Sequence, residues 1–445
     1  TMFKGYEIVV IAAIAFLLRI LFYFAYANNV LPWNDFDLYL NAAFSLHDGD
    51  LSLIRNFKDT FPYLQGFICW ESIITALFGK NYTIFHFLDC IYTSTICVEI
   101  FLIARKINKN VGIISSILFA IWPSNIMFSS VISCQHIATS VYLLTLYILI
   151  CCYEKNVQGK KEYLYHLVVG FLLGLGHLLH SISSVILIAI LMTIIFSIIK
   201  QRGEHFGLRL TLCVLSVTVS YTLVTSAFDY YAYSKGYRDT FPVDNDLGYK
   251  FAIGLNLPDV SLKNNSTIRG EYFALDKDER KVYLKEIIYT NINMPRQTLE
   301  RFIDKLKTQW TGYDRPYYYL YGGEISKLKV IVENGSATSR QISRYYVLQT
   351  LERPFNSFDG TYQGIIIILC LFGCLASIKK NESLVYPLIS WILLGYIAAH
   401  ILIEHQARYR YFGMPFIFIY AALGIESTVS LLGRIKNCSK INEKR

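Results

Sequence analysis

Apolar residues in this chain fall into long unbroken runs rather than the alternating or three-to-four-residue spacing of a soluble core. Such runs occupy residues 6–27, 83–104, 111–129, 131–153, 207–229, 362–378, 384–403 and 410–432. Each approaches the length of about 20 residues that a helix needs to cross a hydrocarbon layer about 30 Å thick. A further tract, 163–199, is too long for one helix and is interrupted by Gly174, Gly176, His177 and His180. It predicts two spans and about ten transmembrane helices in total. The first run lacks a small-residue cleavage site and reads as a retained span.

Charge tests that count. With the first residues inside, five connections should face the cytoplasm: Arg105–Lys109, the turn with Lys155, Lys160 and Lys161, the turn with Lys200, Arg202 and Arg209, the pair Lys379–Lys380, and the tail 434–445. All five are basic, as cytoplasmic connections tend to be. The opposite turns, 123–133 and 177–183, hold neither lysine nor arginine, so the alternation survives only if the long tract is split.

Composition agrees: 54% of residues are apolar and 17% charged, which excludes an ordinary soluble enzyme. The net charge of +9 is spread over the short connections, so it reads as topology rather than affinity for nucleic acid. Most of the ten cysteines, Cys90, Cys97, Cys151, Cys152, Cys213, Cys370 and Cys374 among them, lie in apolar segments, and the large polar insertion has none. Neither a disulfide framework nor a zinc site is expected.

The fold class is therefore an all-α polytopic membrane protein. Residues 1–229 form a seven-span core with a first external loop, 28–82, that carries interfacial helices. Residues 230–361 form an external loop domain, residues 362–433 the closing spans, and 434–445 a basic tail. Gly170–Gly176 lies inside a span without a phosphate-loop lysine, so ATP-driven work is not indicated and a substrate must arrive already activated.

Chemistry concentrates on the outer face. The first loop runs Asn34-Asp35-Phe36-Asp37-Leu38-Tyr39, then Ala42-Ala43, Asp48-Gly49-Asp50, Pro62-Tyr63 and Phe78-Gly79-Lys80-Asn81. A carboxylate just outside the first span is placed to act as a general base on a lipid-borne substrate. The same acids also suit a helix cap and a first helical turn. Two further segments stand out: Trp122-Pro123-Ser124 before Ser129-Ser130, and Glu404-His405-Gln406-Ala407-Arg408-Tyr409-Arg410-Tyr411 before Met414-Pro415.

In order and placement these segments resemble GT-C integral membrane glycosyltransferases, in the branch of the protein O-mannosyltransferases and the aminoarabinose transferase of lipid A. The resemblance covers the spans and the first loop but not residues 230–361. It implies transfer of a monosaccharide from a polyprenyl-phosphate donor to a hydroxyl of a cell-envelope glycan, lipid, polymer or protein, on the external face of the cell membrane and with inversion. Asp35 matches the family's catalytic acid by its spacing to Tyr39, with Asp37 as alternate. Arg408, with Arg410 and Lys58, would grip the donor phosphate. The lipid A enzyme has a Glu-Lys pair before the loop proline, whereas this chain has Thr60-Phe61 there, with Lys58 and Asp59 upstream. Tyr39, Glu71, Glu404, His177 and His180 are expected in the substrate cavity. No cofactor is required, and a divalent cation is left open.

Several residues have plainer readings. His177 and His180 share a helical face and suit interhelical hydrogen bonds as well as a ligand. Arg19 should face protein or water rather than lipid. The stretch Tyr313–Tyr319 with Arg340, Arg344 and Arg353 either faces sugar and phosphate or holds the external domain together. A transporter or flippase of lipid-linked sugars is the alternative function, and it calls for working charges near mid-membrane. A non-catalytic assembly subunit would need no acid at Asp35.

Overall fold

The computed structural model describes residues 6–58, 61–200, 206–241, 248–256, 265–310, 316–378, 383–404 and 406–442, and every regular element among them is helical. Helix α1 (Tyr6–Phe22) continues through a π-type turn, Tyr23–Ala27, into the first outer segment. That segment holds α2 (Asp35–His47), α3 (Ser52–Arg55), a 3-10 turn Pro62–Leu64 and α4 (Gln65–Phe78). Then follow α5 (Tyr82–Ala104), α6 (Lys109–Ala120), α7 (Pro123–Phe128), α8 (Cys134–Glu154), α9 (Lys160–Leu179), α10 (Ser183–Lys200) and α11 (Phe206–Ser234). The second outer segment contributes α12 (Gly248–Leu255), α13 (Asn265–Ala274), α14 (Lys277–Asn293), α15 (Pro295–Trp310) and α16 (Pro316–Glu333). Helices α17 (Ser339–Ser377) and α18 (Val385–Leu402), a 3-10 turn Ala407–Phe412 and α19 (Met414–Asn442) close the chain.

Nine helices among the described residues are long and apolar enough to cross a membrane. The tract 163–199 does split, into α9 and α10 at His180. The expected span 111–129 is not continuous. Pro123 forces Trp122 into extended backbone, ψ 118°, which leaves a 12-residue α6 and a 6-residue α7. At 1.5 Å per residue α6 covers only about 18 Å. The expected boundary at residue 361 falls inside α17, one helix of 39 residues that starts on a Thr338/Gln341 capping box. Its length, about 58 Å, exceeds a hydrocarbon layer, so it cannot lie wholly within one.

Buried polar side chains stitch the spans. Arg19 is fully buried, as its expected avoidance of lipid requires, and donates to the Ala15 and Ala120 carbonyls at 2.8 and 3.4 Å and to Asn125 Oδ1. Helices α17 and α19 cross backbone to backbone: a Cβ on Gly373 would lie 1.8 Å from the Tyr420 carbonyl oxygen, and one on Gly424 2.1 Å from that of Leu369. Only glycine permits this approach. The two outer segments are joined by Trp33, whose indole donates to the Tyr318 and Tyr319 carbonyls at 3.1 Å each.

Candidate functional site

Asn34 has φ 58°, a left-handed backbone that asparagine tolerates better than most residues, and its side chain caps nothing. The bend opens α2 on Asp35 at the helix's first position. Arg408, on the 3-10 turn after α18, donates from one terminal nitrogen to Asp35 Oδ2 at 2.7 Å. Three rings flank this guanidinium, with centroids 5.5 Å (Phe36), 5.1 Å (Tyr319) and 5.8 Å (Tyr409) away. Its Nε is buried and has no acceptor among the described residues. The Asp35 side chain keeps 37% exposure against 13% for Arg408, so the acid remains reachable while the base of the arginine is enclosed.

The pair borders a cavity of about 330 Å³. One wall is the first outer segment, through Tyr39, Phe57, Phe61 and Tyr63. The start of α8, Ser133 to Gln135, and His180 form another wall. The second outer segment adds Tyr249 and Arg269, and the strap after α18 adds Glu404, Gln406 and Tyr409. Burial, reinforced by the Asp35 carboxylate, pushes the Tyr39 phenol well up, so it stays a neutral hydroxyl. Burial, with Lys250 and Arg408 nearby, pulls the His180 imidazole down to about 3, so it too is neutral. The walls are thus aromatic and uncharged, and the charges are few and placed.

Of the residues singled out from sequence, Asp35, Tyr39, His180, Glu404 and Arg408 line this cavity together. The others lie elsewhere. Asp37 is two residues along α2, where its charge acts on Tyr82. Lys58 is ion-paired with Asp239. Arg410 is buried and donates to the Gln309 and Trp310 carbonyls at 3.1 Å each and to Gln363 Oε1, fixing α15 to α17. His177 bonds Ser183 Oγ at 2.6 Å and Tyr221 at 3.2 Å between α9, α10 and α11. Glu71 is buried in α4, where desolvation and then the Asp89 carboxylate push its carboxyl well above the usual range. Asp59, Thr60, His405 and Tyr313–Arg315 lie outside the described residues. Arg344 is bound to Glu324 at 2.9 and 3.1 Å, and so holds α17 to α16.

Sequence reasoning missed Tyr249 and Arg269, and it took Tyr63 and Tyr409 only as parts of their motifs. Only tertiary packing brings α12 and α13 over the first loop; nothing in their local spacing signals it. The Trp122-Pro123-Ser124 motif is used structurally. Asp359 Oδ1 accepts from the Ser124 N–H at 3.0 Å, and Asn125 donates to Tyr411 at 2.9 Å, which steadies the strap that bears Arg408. Among the described residues no group of three or more His, Cys, Asp or Glu could hold a metal ion.

Residues 62–221 match the family model of dolichyl-phosphate-mannose-protein mannosyltransferases. No curated protein matches the chain. Among solved structures it is similar to the oligosaccharyltransferase of Archaeoglobus fulgidus in three states. The form tethered to an acceptor peptide shares 14% identity over 97% of this chain and 50% of that one, TM-score 0.52. The apo form shares 16% over 99% and 52%, TM-score 0.52. The complex of this enzyme, AglB, with an inhibitory peptide and a dolichol-phosphate gives the same 16%, 99%, 52% and 0.52. The chain spans about half the length of those structures. Both comparisons lead to glycosyltransferases. The chain has the GT-C fold, and over residues 62–221 it resembles the protein mannosyltransferase branch of the GT-C membrane glycosyltransferases.

Proposed function

We propose that this protein transfers a monosaccharide from a polyprenyl-phosphate donor to an acceptor hydroxyl, in the cavity between Asp35 and Arg408 on the external face. The observation that carries the reading is the Asp35–Arg408 contact of 2.7 Å within a cavity, on a guanidinium whose Nε has no acceptor among the described residues.

The chemistry follows from the two groups. Asp35 takes the proton of the acceptor hydroxyl as its oxygen attacks the anomeric carbon. The bond from that carbon to the phosphate oxygen breaks, its electron pair leaves with the phosphate, and the anomeric centre inverts. Phosphate needs no general acid, but its growing charge needs a fixed cation. An arginine held by three rings in a low-dielectric pocket supplies one without reorganisation. Aromatic walls at Tyr39, Phe57, Phe61 and Tyr63 suit the apolar face of a sugar and exclude bulk water. The dolichol-phosphate in the AglB complex and the mannosyl-phosphate donor in the matched family's description support the donor class. A transporter calls for working charges near mid-membrane, whereas Asp35 and Arg408 sit on the helix after the first span and on the turn before the last.

The test is turnover. Purified protein in vesicles is given a panel of radiolabelled polyprenyl-phosphate monosaccharides, and release or transfer of the sugar is measured. Turnover of at least one donor, lost in Asp35→Asn, is expected; no turnover with the whole panel and an envelope extract as acceptor would sink the reading.

A further inference from the structure

Helices α13 and α12 bring one more cation to the cavity and another against a ring of its wall. Arg269, on α13, lines it directly and stacks on Phe61 at 5.9 Å from the ring centroid. Lys250, on α12, donates to Tyr63 Oη at 3.1 Å and lies 4.9 Å from that ring's centroid. Both rings are cavity wall. Neither cation meets a carboxylate among the described residues. Of the cavity's two acids among the described residues, Asp35 is on Arg408, while Glu404 accepts from Gln406 Nε2 at 3.2 Å and its N–H donates to the Lys250 carbonyl at 2.9 Å. Arg269 and Lys250 are half-buried, so each forgoes part of its hydration without an ion pair in exchange.

Resting on the reading above, we propose that Lys250 and Arg269 form a second anion subsite that recognises a phosphoryl group on the acceptor, so that the acceptor is an anionic glycan or glycolipid rather than a neutral one. Two facts favour the acceptor over the donor. The donor's phosphate has its own cation in Arg408, on the strap that leads into the last span. Lys250 and Arg269 belong instead to the outer domain, which an acceptor arriving from outside must pass and which a carrier lipid entering from the bilayer need not. Each cation lies on a ring of the cavity wall, and a phosphomonoester offers three oxygens to a guanidinium and an ammonium together.

Binding to the full chain in lipid nanodiscs tests this with a probe pair: a disaccharide and its phosphomonoester. The phosphorylated probe should bind wild type at least about tenfold more tightly, equivalent to about one charge-assisted hydrogen bond. Lys250→Gln/Arg269→Gln should abolish that preference, and Lys250→Arg/Arg269→Lys should keep most of it. Polyprenyl phosphate alone should bind the double glutamine variant as it binds wild type. Equal affinity for the two probes, or a preference that survives in the glutamine variant, overturns the proposal. So does a loss of polyprenyl-phosphate binding in that variant, which would assign the subsite to the donor. Turnover of the polyprenyl-phosphate panel by wild type is measured separately from probe binding, so failure of the catalytic reading is distinguished from failure of this subsite.

Discussion

Arg408 and Asp35 stand 373 positions apart in sequence and 2.7 Å apart in space, one on the turn before the last span and the other on the helix after the first. The contact unites the two ends of the membrane core around one cavity. On the proposed function the arginine has two tasks: its guanidinium orients the base in the resting protein and meets the leaving phosphate during transfer. Replacing Asp35 by Asn keeps its size and removes its basicity. Transfer should fall by about 10²- to 10⁴-fold, the usual contribution of a general base. Binding of polyprenyl phosphate should be retained and Asp37→Asn should be near wild type. Single-turnover transfer measured for the three proteins decides it, and equal rates in Asp35→Asn and wild type would remove the assignment.

Arg408→Lys preserves the charge and loses the fork. The planar group touches Asp35 with a terminal nitrogen while its buried Nε has no acceptor among the described residues, and it stacks among Phe36, Tyr319 and Tyr409. A lysine ammonium can meet one oxygen or the other but cannot hold that plane. Polyprenyl-phosphate affinity should drop by about 10- to 100-fold, in line with one or two charged hydrogen bonds. Fluorescent-lipid titration reads this, and unchanged affinity would place the phosphate elsewhere.

Much of this was legible because it depends on local pattern. Gly174, Gly176 and His180 marked the break between α9 and α10, and Asp35 and Arg408 stood out as charges beside apolar runs on one face. Other features depend on packing. Arg408 and Arg410 are two residues apart on a tight turn and look equivalent in sequence, yet one borders the cavity while the other is spent on the Gln309 and Trp310 carbonyls. No local pattern singles out Lys250 and Arg269; only the packing of α12 and α13 over the loop rings brings them beside the cavity wall. The polar stretch before residue 361 suggested a domain edge, but helix α17 passes through it, with its first half held by contacts such as Tyr317 Oη to the Leu348 carbonyl at 2.6 Å.

Gly424 tests how tightly the closing spans are coupled. A side chain there would meet the Leu369 carbonyl at 2.1 Å, backbone rather than a movable tip, so α17 and α19 would have to separate. Gly424→Leu should lower stability by about 1–3 kcal/mol or more, as overpacking does. Gly207, with nothing within 4 Å of its hypothetical Cβ, is the control: Gly207→Leu should unfold near the wild-type temperature. Thermal unfolding in one detergent compares them, and a Gly424→Leu curve that overlays wild type would show that the crossing is loose.

Lys305 carries the last prediction. It is 1% exposed on α15, and its ammonium donates to the carbonyls of Gly254 at 3.0 Å, Ile403 at 2.7 Å and Ile401. It therefore caps the C-terminal end of α18 and ties α12 to it, directly behind the strap that bears Glu404 and Arg408. Lys305→Met would leave three carbonyls without that donor and should cost about 1–3 kcal/mol. The pH dependence has a definite sign. Burial, helped by Arg301, pulls this ammonium down to about 7 in the folded chain, while an unfolded lysine titrates near ~10.4. Between those values the unfolded state binds more protons, so the lysine's contribution to stability should rise as pH goes from about 7 toward about 10, and be flat below 7. The difference in unfolding temperature between wild type and Lys305→Met, followed from pH 6 to about 10, reads this directly. A difference that shrinks over the upper range would mean that the ammonium stays charged in its carbonyl cage.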